Sequence, residues 1–445
     1  MRYLLALQIF VLTAIDVFDW SQSLAPGLSV KNAILYVILL ALVARFVVRG
    51  GMRMELPKLH MWFGLLIVYA TLTWLTAALL IRYEFYTLLD SGIDLKGRLL
   101  DNAVLFAVYL YGTRTLDDAK FVLKCVLLAV AAANAIAIGN VLGLFHVGVT
   151  EVGTGLLAGR VFGAFGHANE TAALIVCLLP TYVAAAVSSA RIARWFWAAA
   201  GAVSAAMMMM TGSRGAFVGL LLAVVCGSWL CHHIISWRRA AALAVTFVAV
   251  AVPVTALVSI EFGHSILTER VTDMFLNPAT SGDGRAYIWR PVVDKIMGNP
   301  VTLITGFGWD AYDAMGFSYA PHNHYLLLWF ELGVIGLACY LMLMRQLVVT
   351  ALRGAENASD ETARYLIAFV YGILAVSGAL LFAQLFRPWT YIWIYCGITM
   401  RMAVIALQTK PNIAPHAQRD APVVGSRRAI ADPVAPRLPV TQRSR

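Results

Sequence analysis

Apolar runs of about 20 residues follow one another along almost the whole chain, each long enough to cross a hydrocarbon core of about 30 Å as a helix. In lipid, every backbone N–H and C=O must find its partner within the protein, which excludes open sheets and leaves helices. Composition agrees: 60% of the 445 residues are hydrophobic and 13% are charged, where a soluble domain carries about 25% charged residues. The expected fold is an all-α polytopic membrane protein with about twelve transmembrane helices. The runs lie at 3–18, 32–48, 61–81, 99–113, 119–145, 168–190, 195–211, 214–235, 240–260, 323–344, 363–385 and 388–407. The organisation expected from them is a helical block over 1–260 with short loops, a large and partly helical loop over 261–322, and a second helical block over 323–408. Residues 409–445, rich in Pro, Arg and Ala, carry no helical period and read as a disordered basic tail.

Charge orients the chain. With the first residue inside, one side receives Arg45, Arg49, Arg53, Lys58, Arg114, Lys120, Lys124, Arg191, Arg194, Arg238, Arg239, Arg345, Arg353, Arg364 and the tail. That is the positive-inside side, so both termini are expected in the cytoplasm and the 261–322 loop outside. The formal net charge of +10 is thereby explained by topology and by anionic membrane lipids rather than by nucleic acid. The loop at 82–98 is balanced, with Arg82, Lys96 and Arg98 against Glu84, Asp90 and Asp94. Asp16, near the outer end of the first run, is expected to pair with an outside arginine. The six cysteines all lie in or at the end of apolar runs without metal-ligand spacing, and read as packing residues. No cleavable signal precedes the first run.

Arginines on the outer side carry no topological duty. Arg160, Arg214, Arg270, Arg285, Arg290 and Arg387 lie there, several at a membrane boundary. Guanidinium in that position either snorkels to lipid phosphate or binds an anion. Arg160 sits among glycines just before a helix expected to start near 167–169 and to be capped by Asn169 or Thr171. An anion site at a helix N-terminus and a re-entrant turn with a snorkelling arginine are both consistent with it. Within MMMMTGSRGAFVGLLL, Arg214 falls in a turn only three or four residues long at the start of the next helix, a setting that suits a phosphate.

The loop segment SGDGRAYIWRPVVDKIM is amphipathic as a helix, with Arg285, Ile288 or Trp289, and Val292 on one face and Asp283 as its N-cap candidate. Arg290, five residues from Arg285, points elsewhere, to Asp294 or a headgroup, so Arg285 is the one expected at a ligand. GFGWDAY then reads as a turn returning the chain to the membrane. In PHNHYLLLWFELGVIG, Pro321 marks the start of a helix and His322 lies in its first turn, suited to proton transfer or simply to capping. Eleven residues separate His322 from Gly333, three turns on one face, and Gly333 and Gly336 thin that face for helix packing. His322, Asn323 and His324 diverge on a helix and have no companion carboxylates or cysteines, so no metal is expected.

At these residues the chain resembles the O-antigen ligase and polymerase superfamily of bacterial envelope enzymes. The resemblance rests on His322-Asn323, nine residues, Gly333, two residues and Gly336, placed directly after the large loop. It extends to the R-x-x-x-W-R element from Arg285 to Arg290, to Asn299–Gly308 and to the G-S-R-G turn at 212–215, and it covers 150–345. It implies a GT-C-like fold in the bacterial inner membrane with the site facing the periplasm. It implies transfer of an O-antigen glycan from undecaprenyl diphosphate to a lipid A–core sugar hydroxyl, inverting, without metal or nucleotide cofactor. His322 would be the catalytic base, and Arg160, Arg214 and Arg285 would bind the donor diphosphate. Arg290, His167, Asn323 and His324 are possible supporting residues. An O-antigen polymerase or a protein O-oligosaccharyltransferase of the same superfamily is the alternative. A lipid-linked glycan flippase is the alternative from another class, and the absence of a charged path across the apolar runs speaks against it.

Overall fold

A computed structural model describes residues 1–20, 23–49, 55–144, 146–148, 160–234, 285–317 and 319–409. The expected span at 240–260, the loop up to Gly284 with Arg270 and Asp283, and the tail beyond Thr409 lie outside the described residues. The first half comprises α1 (Arg2–Phe18), a small antiparallel pair of strands (Ser23–Ala25 with Leu28–Ser29), α2 (Val30–Arg49), α3 (Pro57–Leu75), α4 (Leu88–Leu95), α5 (Asp101–Gly112), α6 (Leu116–Val141), α7 (Ala168–Val187), α8 (Arg191–Met210) and α9 (Arg214–Leu230). The second half comprises α10 (Arg285–Met297), α11 (Pro300–Thr305), α12 (Ala311–Ala314), α13 (His324–Glu356), α14 (Asp360–Ala379) and α15 (Arg387–Gln408).

The chain is an all-α polytopic membrane protein. Among the described residues, 8 helices are long and apolar enough to cross a membrane. The expectation of about twelve counted more, because α1 and α9, at 17 residues each, and the 12-residue α5 also occupy apolar runs. α5 is not an isolated short span. The π-helical turn Lys96–Leu100 joins α4 to α5, so 88–112 is one bulged helical stretch. A second π-helical turn, Thr76–Ile81, extends α3. π-Bulges insert an extra residue into a turn and re-aim the side chains there.

Helices α7, α14 and α15 form the centre. In α7 and α15, 78% of the apolar window is buried inside the protein, against 17% in α2, which therefore faces lipid. Lipid supplies no hydrophobic force between helices, so close packing and polar contacts hold them. α14 packs on α9 and α7, and α15 on α5. A Cβ on Gly219 would lie 2.2 Å from the Ala375 carbonyl oxygen, so only glycine lets α9 and α14 approach this closely. Thr181 and Tyr395 share a buried hydrogen bond of 2.5 Å between α7 and α15. Asp16 does not pair with an arginine: it takes the Lys31 ammonium and accepts from the Tyr391 hydroxyl at 2.7 Å. Lys31 and Tyr391, brought beside it by the fold, already take both carboxylate oxygens.

The segment 285–323 folds back over the end of the bundle. α10 buries Val292 and Ile296, completely, in a small apolar cluster with Phe307, Tyr312, Leu326 and Phe330. The helix expected from the sequence is thus present, and its apolar face is the buried one. The GFGWDAY stretch is the expected turn, with Gly306 at φ 78° and Gly308 at φ 110°. It is seated on α13 by backbone bonds, Phe307 N–H to Phe330 C=O and Gly308 N–H to Glu331 C=O, each 2.9 Å.

Gly333 corrects the sequence expectation for α13. It is not helical, with φ 63° and ψ −169°, and it breaks the helix. A Cβ there would lie 2.2 Å from the Ile304 carbonyl oxygen and 2.4 Å from the Gly306 nitrogen. The glycine admits the end of α11 and the turn that follows it. This conformation belongs essentially to glycine alone. Gly333→Ala is expected to destabilise the protein by at least about 2 kcal/mol, read as a lowered midpoint of thermal unfolding in detergent by tryptophan fluorescence. An unchanged midpoint would mean that the broken turn is not required.

Candidate functional site

One loop, residues 380–386 between α14 and α15, collects the candidate residues. The apolar runs by themselves predict a connection of only two residues there, 386–387. The His324 N–H donates to the Leu380 and Ala383 carbonyls at 2.9 and 3.1 Å. The Arg285 guanidinium lies 5.1 Å from the Phe382 ring centroid, with Nη2 3.4 Å from the Phe382 carbonyl. Gly215, next to Arg214, faces the Cβ of the same Phe382. The Phe386 N–H donates to Glu170 Oε1 at 3.1 Å.

The turn between α8 and α9 is only Thr211–Ser213, as expected, so Arg214 is the first residue of α9. Arg160 holds that turn. Its Nε donates to the Thr211 carbonyl at 2.8 Å and its Nη2 to Asn169 Oδ1 at 2.6 Å. Val161 N–H bonds the Met210 carbonyl beside it. At 7% exposure, Arg160 does not snorkel to lipid. It is a buried guanidinium that fastens the start of α7 to the start of α9. Asn169 and Thr171 do not cap α7 as expected. Asn169 serves Arg160, Thr171 donates to the Phe162 carbonyl at 2.5 Å, and His167 occupies the N-cap position. His167 itself is exposed, with its ring edge-on to Phe162.

His322 lies outside α13, two residues before its first residue His324, with Asn323 as N-cap accepting from the Leu326 N–H at 3.0 Å. The expectation that it shares a helix face with Gly333 therefore fails at both ends, since neither residue is helical. His322 has φ 47°, uncommon for a residue with a side chain. It is exposed, and its neighbours pin it: Trp289 Nε1 of α10 donates to the Pro321 carbonyl at 2.7 Å. That bond ties the helix carrying Arg285 to the histidine. Arg290 points away, its side chain 86% exposed and 3.9 Å from Asp294. His324 is turned inward, its ring 5.3 Å from both Tyr340 and Trp389.

His324 lines a cavity of about 50 Å³ with Arg98, Trp309, Glu331, Tyr340, Gln384 and Trp389. His324 Nδ1, Tyr340 Oη and Gln384 Oε1 are buried there with no hydrogen-bond partner among the described residues. A cavity of that size and lining suits one or two waters.

Beside it lies an ionic cluster that the sequence reading passed over, because the charges of the 82–98 loop balance. Arg98 Nε is 2.6 Å from Asp94, and its Nη2 is 3.7 Å from Asp313 and 3.9 Å from Asp310. Buried Glu331 adds a further carboxylate in its field. Trp309 Nε1 donates to Asp94 Oδ2 at 3.0 Å, and the Tyr83 and Tyr86 hydroxyls donate to the Phe307 and Trp309 carbonyls at 2.7 and 2.6 Å. No local pattern announced the cluster, since its members come from 83–98, 305–313 and α13.

Burial raises the Asp310 carboxyl to about 7; neighbouring Asp94 raises it too, Arg98 lowers it, and Asp313 and Asp90 raise it slightly. The folded chain thus holds that proton more tightly than the unfolded chain. The stability it contributes is full below about pH 4 and is lost as pH rises to about 7. The thermal midpoint is expected to fall between pH 5 and pH 7.5, and Asp310→Asn is expected to flatten that fall. An identical slope in wild type and variant would count against the assignment.

No curated protein matches the chain. A family model described as O-Antigen ligase matches residues 199–341. The matched stretch runs from α8 to the upper part of α13 and holds Arg214, Arg285 and His322, while Arg98, Arg160 and the 380–386 loop lie outside it. Over residues 199–341 the chain, a multi-pass helical bundle, is similar to the O-antigen ligase family.

Proposed function

We propose that the protein is an O-antigen ligase of the bacterial inner membrane. It transfers O-antigen polysaccharide from undecaprenyl diphosphate to a sugar hydroxyl of lipid A–core at the periplasmic face, with both termini cytoplasmic. The observation that carries this reading is that the 380–386 loop contacts Arg285, Gly215 beside Arg214 and His324 two residues after His322, while Arg160 fastens the turn that precedes Arg214.

The chemistry follows from the parts. The acceptor hydroxyl oxygen attacks the anomeric carbon and forms the new glycosidic bond. The bond from that carbon to the diphosphate oxygen breaks, and undecaprenyl diphosphate leaves with the electron pair. One displacement inverts the carbon. His322 takes the proton of the attacking hydroxyl, a role its exposed and pinned position suits. Arg214 and Arg285 stabilise the charge that develops on the leaving diphosphate through permanently charged, forked donors. Arg160 belongs to the same anion site through the turn it fastens. No cofactor enters the scheme. Asn323 and His324 support it by holding the start of α13, whereas Arg290 is exposed beside Asp294. An O-antigen polymerase uses the same donor, with the next lipid-linked repeat as acceptor.

Lipopolysaccharide gels of a deletion strain, complemented by plasmid, test the assignment. Loss of all O-antigen on lipid A–core, with glycan accumulating on undecaprenyl diphosphate, is expected. Core capped by a single repeat unit would assign a polymerase instead, and an unchanged ladder would exclude both and turn attention to protein glycans or to transport. His322→Ala is expected to lower transfer by about 100-fold or more, and Arg285→Ala and Arg214→Ala by about 100-fold each. A wild-type ladder from His322→Ala would remove the base and leave the enzyme class intact.

A further inference from the structure

Arg98 stands where four separate stretches of chain meet. It lies in the π-helical turn Lys96–Leu100, the bulge between α4 and α5. Asp94, 2.6 Å away, belongs to its own stretch. Asp310 and Asp313, at 3.9 and 3.7 Å, belong to the segment seated on the broken turn of α13. Buried Glu331 belongs to α13 itself. The Phe386 ring, 4.7 Å from the guanidinium carbon, belongs to the 380–386 loop. Only 17% of its side chain is exposed.

Two of these stretches adjoin the candidate residues. The 305–313 segment lies between α10, which bears Arg285, and His322. The 380–386 loop holds Arg285 through Phe382 and the start of α13 through Leu380 and Ala383. A regular α-helical turn at 96–100 would aim residue 98 elsewhere, so the bulge is what delivers the guanidinium to this junction. A neutral side chain in place of Arg98 would leave Asp94 without its ion-pair partner and remove the cation that Asp310 and Asp313 approach.

We propose that Arg98 is a positioning residue for the site: it clasps the 305–313 segment and the 380–386 loop to the 88–112 stretch, and so holds Arg285 and His322 in register. The inference rests on the transfer reaction proposed above, but the clasp itself can be read without catalysis. Arg98 touches neither donor nor acceptor in this scheme. It acts through the placement of others.

The test uses the full chain in nanodiscs. Hydrogen exchange is followed by mass spectrometry in peptides covering 305–313, whose Phe307 and Gly308 amides bond to α13. Transfer is measured with undecaprenyl-diphosphate-linked glycan and lipid A–core for wild type, Arg98→Lys, Arg98→Gln, His322→Ala and the double variant Arg98→Gln/His322→Ala. In Arg98→Gln, exchange at 305–313 is expected to rise at least about 10-fold while α7 is unchanged. Transfer is expected to fall about 100-fold, the cost of a small misplacement of reacting groups. Arg98→Lys, which keeps the charge and loses the fork, is expected to recover most of the exchange protection and part of the rate. Added to His322→Ala, Arg98→Gln is expected to cost far less than it does alone, because the residue it places is already gone.

Unchanged exchange at 305–313 in Arg98→Gln would overturn the clasp whatever the rate. Faster exchange with full transfer would overturn the positioning role. A full additive loss on top of His322→Ala, or exchange raised equally in α7, would mean general destabilisation and overturn it as well. Wild-type transfer by His322→Ala would instead defeat the proposed base. Arg98 would then be judged by its exchange and by its own loss of rate through Arg285.

Discussion

Breaking a helix inside a membrane protein frees backbone carbonyls, and those carbonyls must be met. Gly333 breaks α13, and the carbonyls of Phe330 and Glu331 are met by the amides of Phe307 and Gly308. The exchange works because glycines face each other there: a Cβ on Gly306 would lie 2.2 Å from the Glu331 oxygen, as one on Gly333 would from Ile304. This backbone junction seats the 305–313 segment, and through it the polypeptide from Arg285 to His322. A membrane helix that stayed straight would offer that segment no hydrogen bonds. The segment would then rest on side chains alone.

Electrostatics works on the same junction from the other side. Tyr69, Tyr83 and Tyr86 donate to the carbonyls of Thr305, Phe307 and Trp309. Arg98 gathers Asp94, Asp310 and Asp313. The N-terminal half, outside the stretch that matches the ligase family model, thereby acts on the segment inside it. Polar groups that would be costly alone in an apolar setting are tolerated because each meets another across the junction.

Much of the candidate site was legible in the sequence because its members sit at chain features that local chemistry marks. Arg214 falls at a turn too short to hide it, and the structure has that turn at Thr211–Ser213. Arg285 opens an amphipathic helix, and the structure buries that helix's apolar face. Arg160 was visible as an arginine among glycines, but not its burial, since the Thr211 carbonyl and Asn169 that hold it lie on other elements. Arg98 and Glu331 were not legible at all. One sat in a balanced loop and the other in an apolar helix, and neither has its partners within its own stretch except Asp94.

The sequence by itself determined that this chain is a bundle of membrane-spanning helices, because repeated apolar runs of that length admit no other paired backbone. It also marked the arginines and histidines that lie between the apolar runs, because those positions are written in the order of the runs. Tertiary structure alone decided that Gly333 breaks α13, that His322 stands outside the helix, and that the 380–386 loop draws Arg285, the Arg214 turn and the start of α13 together. The physical reason is one of range. Helical periodicity and capping act within a few residues, whereas these contacts join segments up to 170 residues apart, such as the Gly215–Phe382 approach (about 170 by residue number), and only packing brings such segments together.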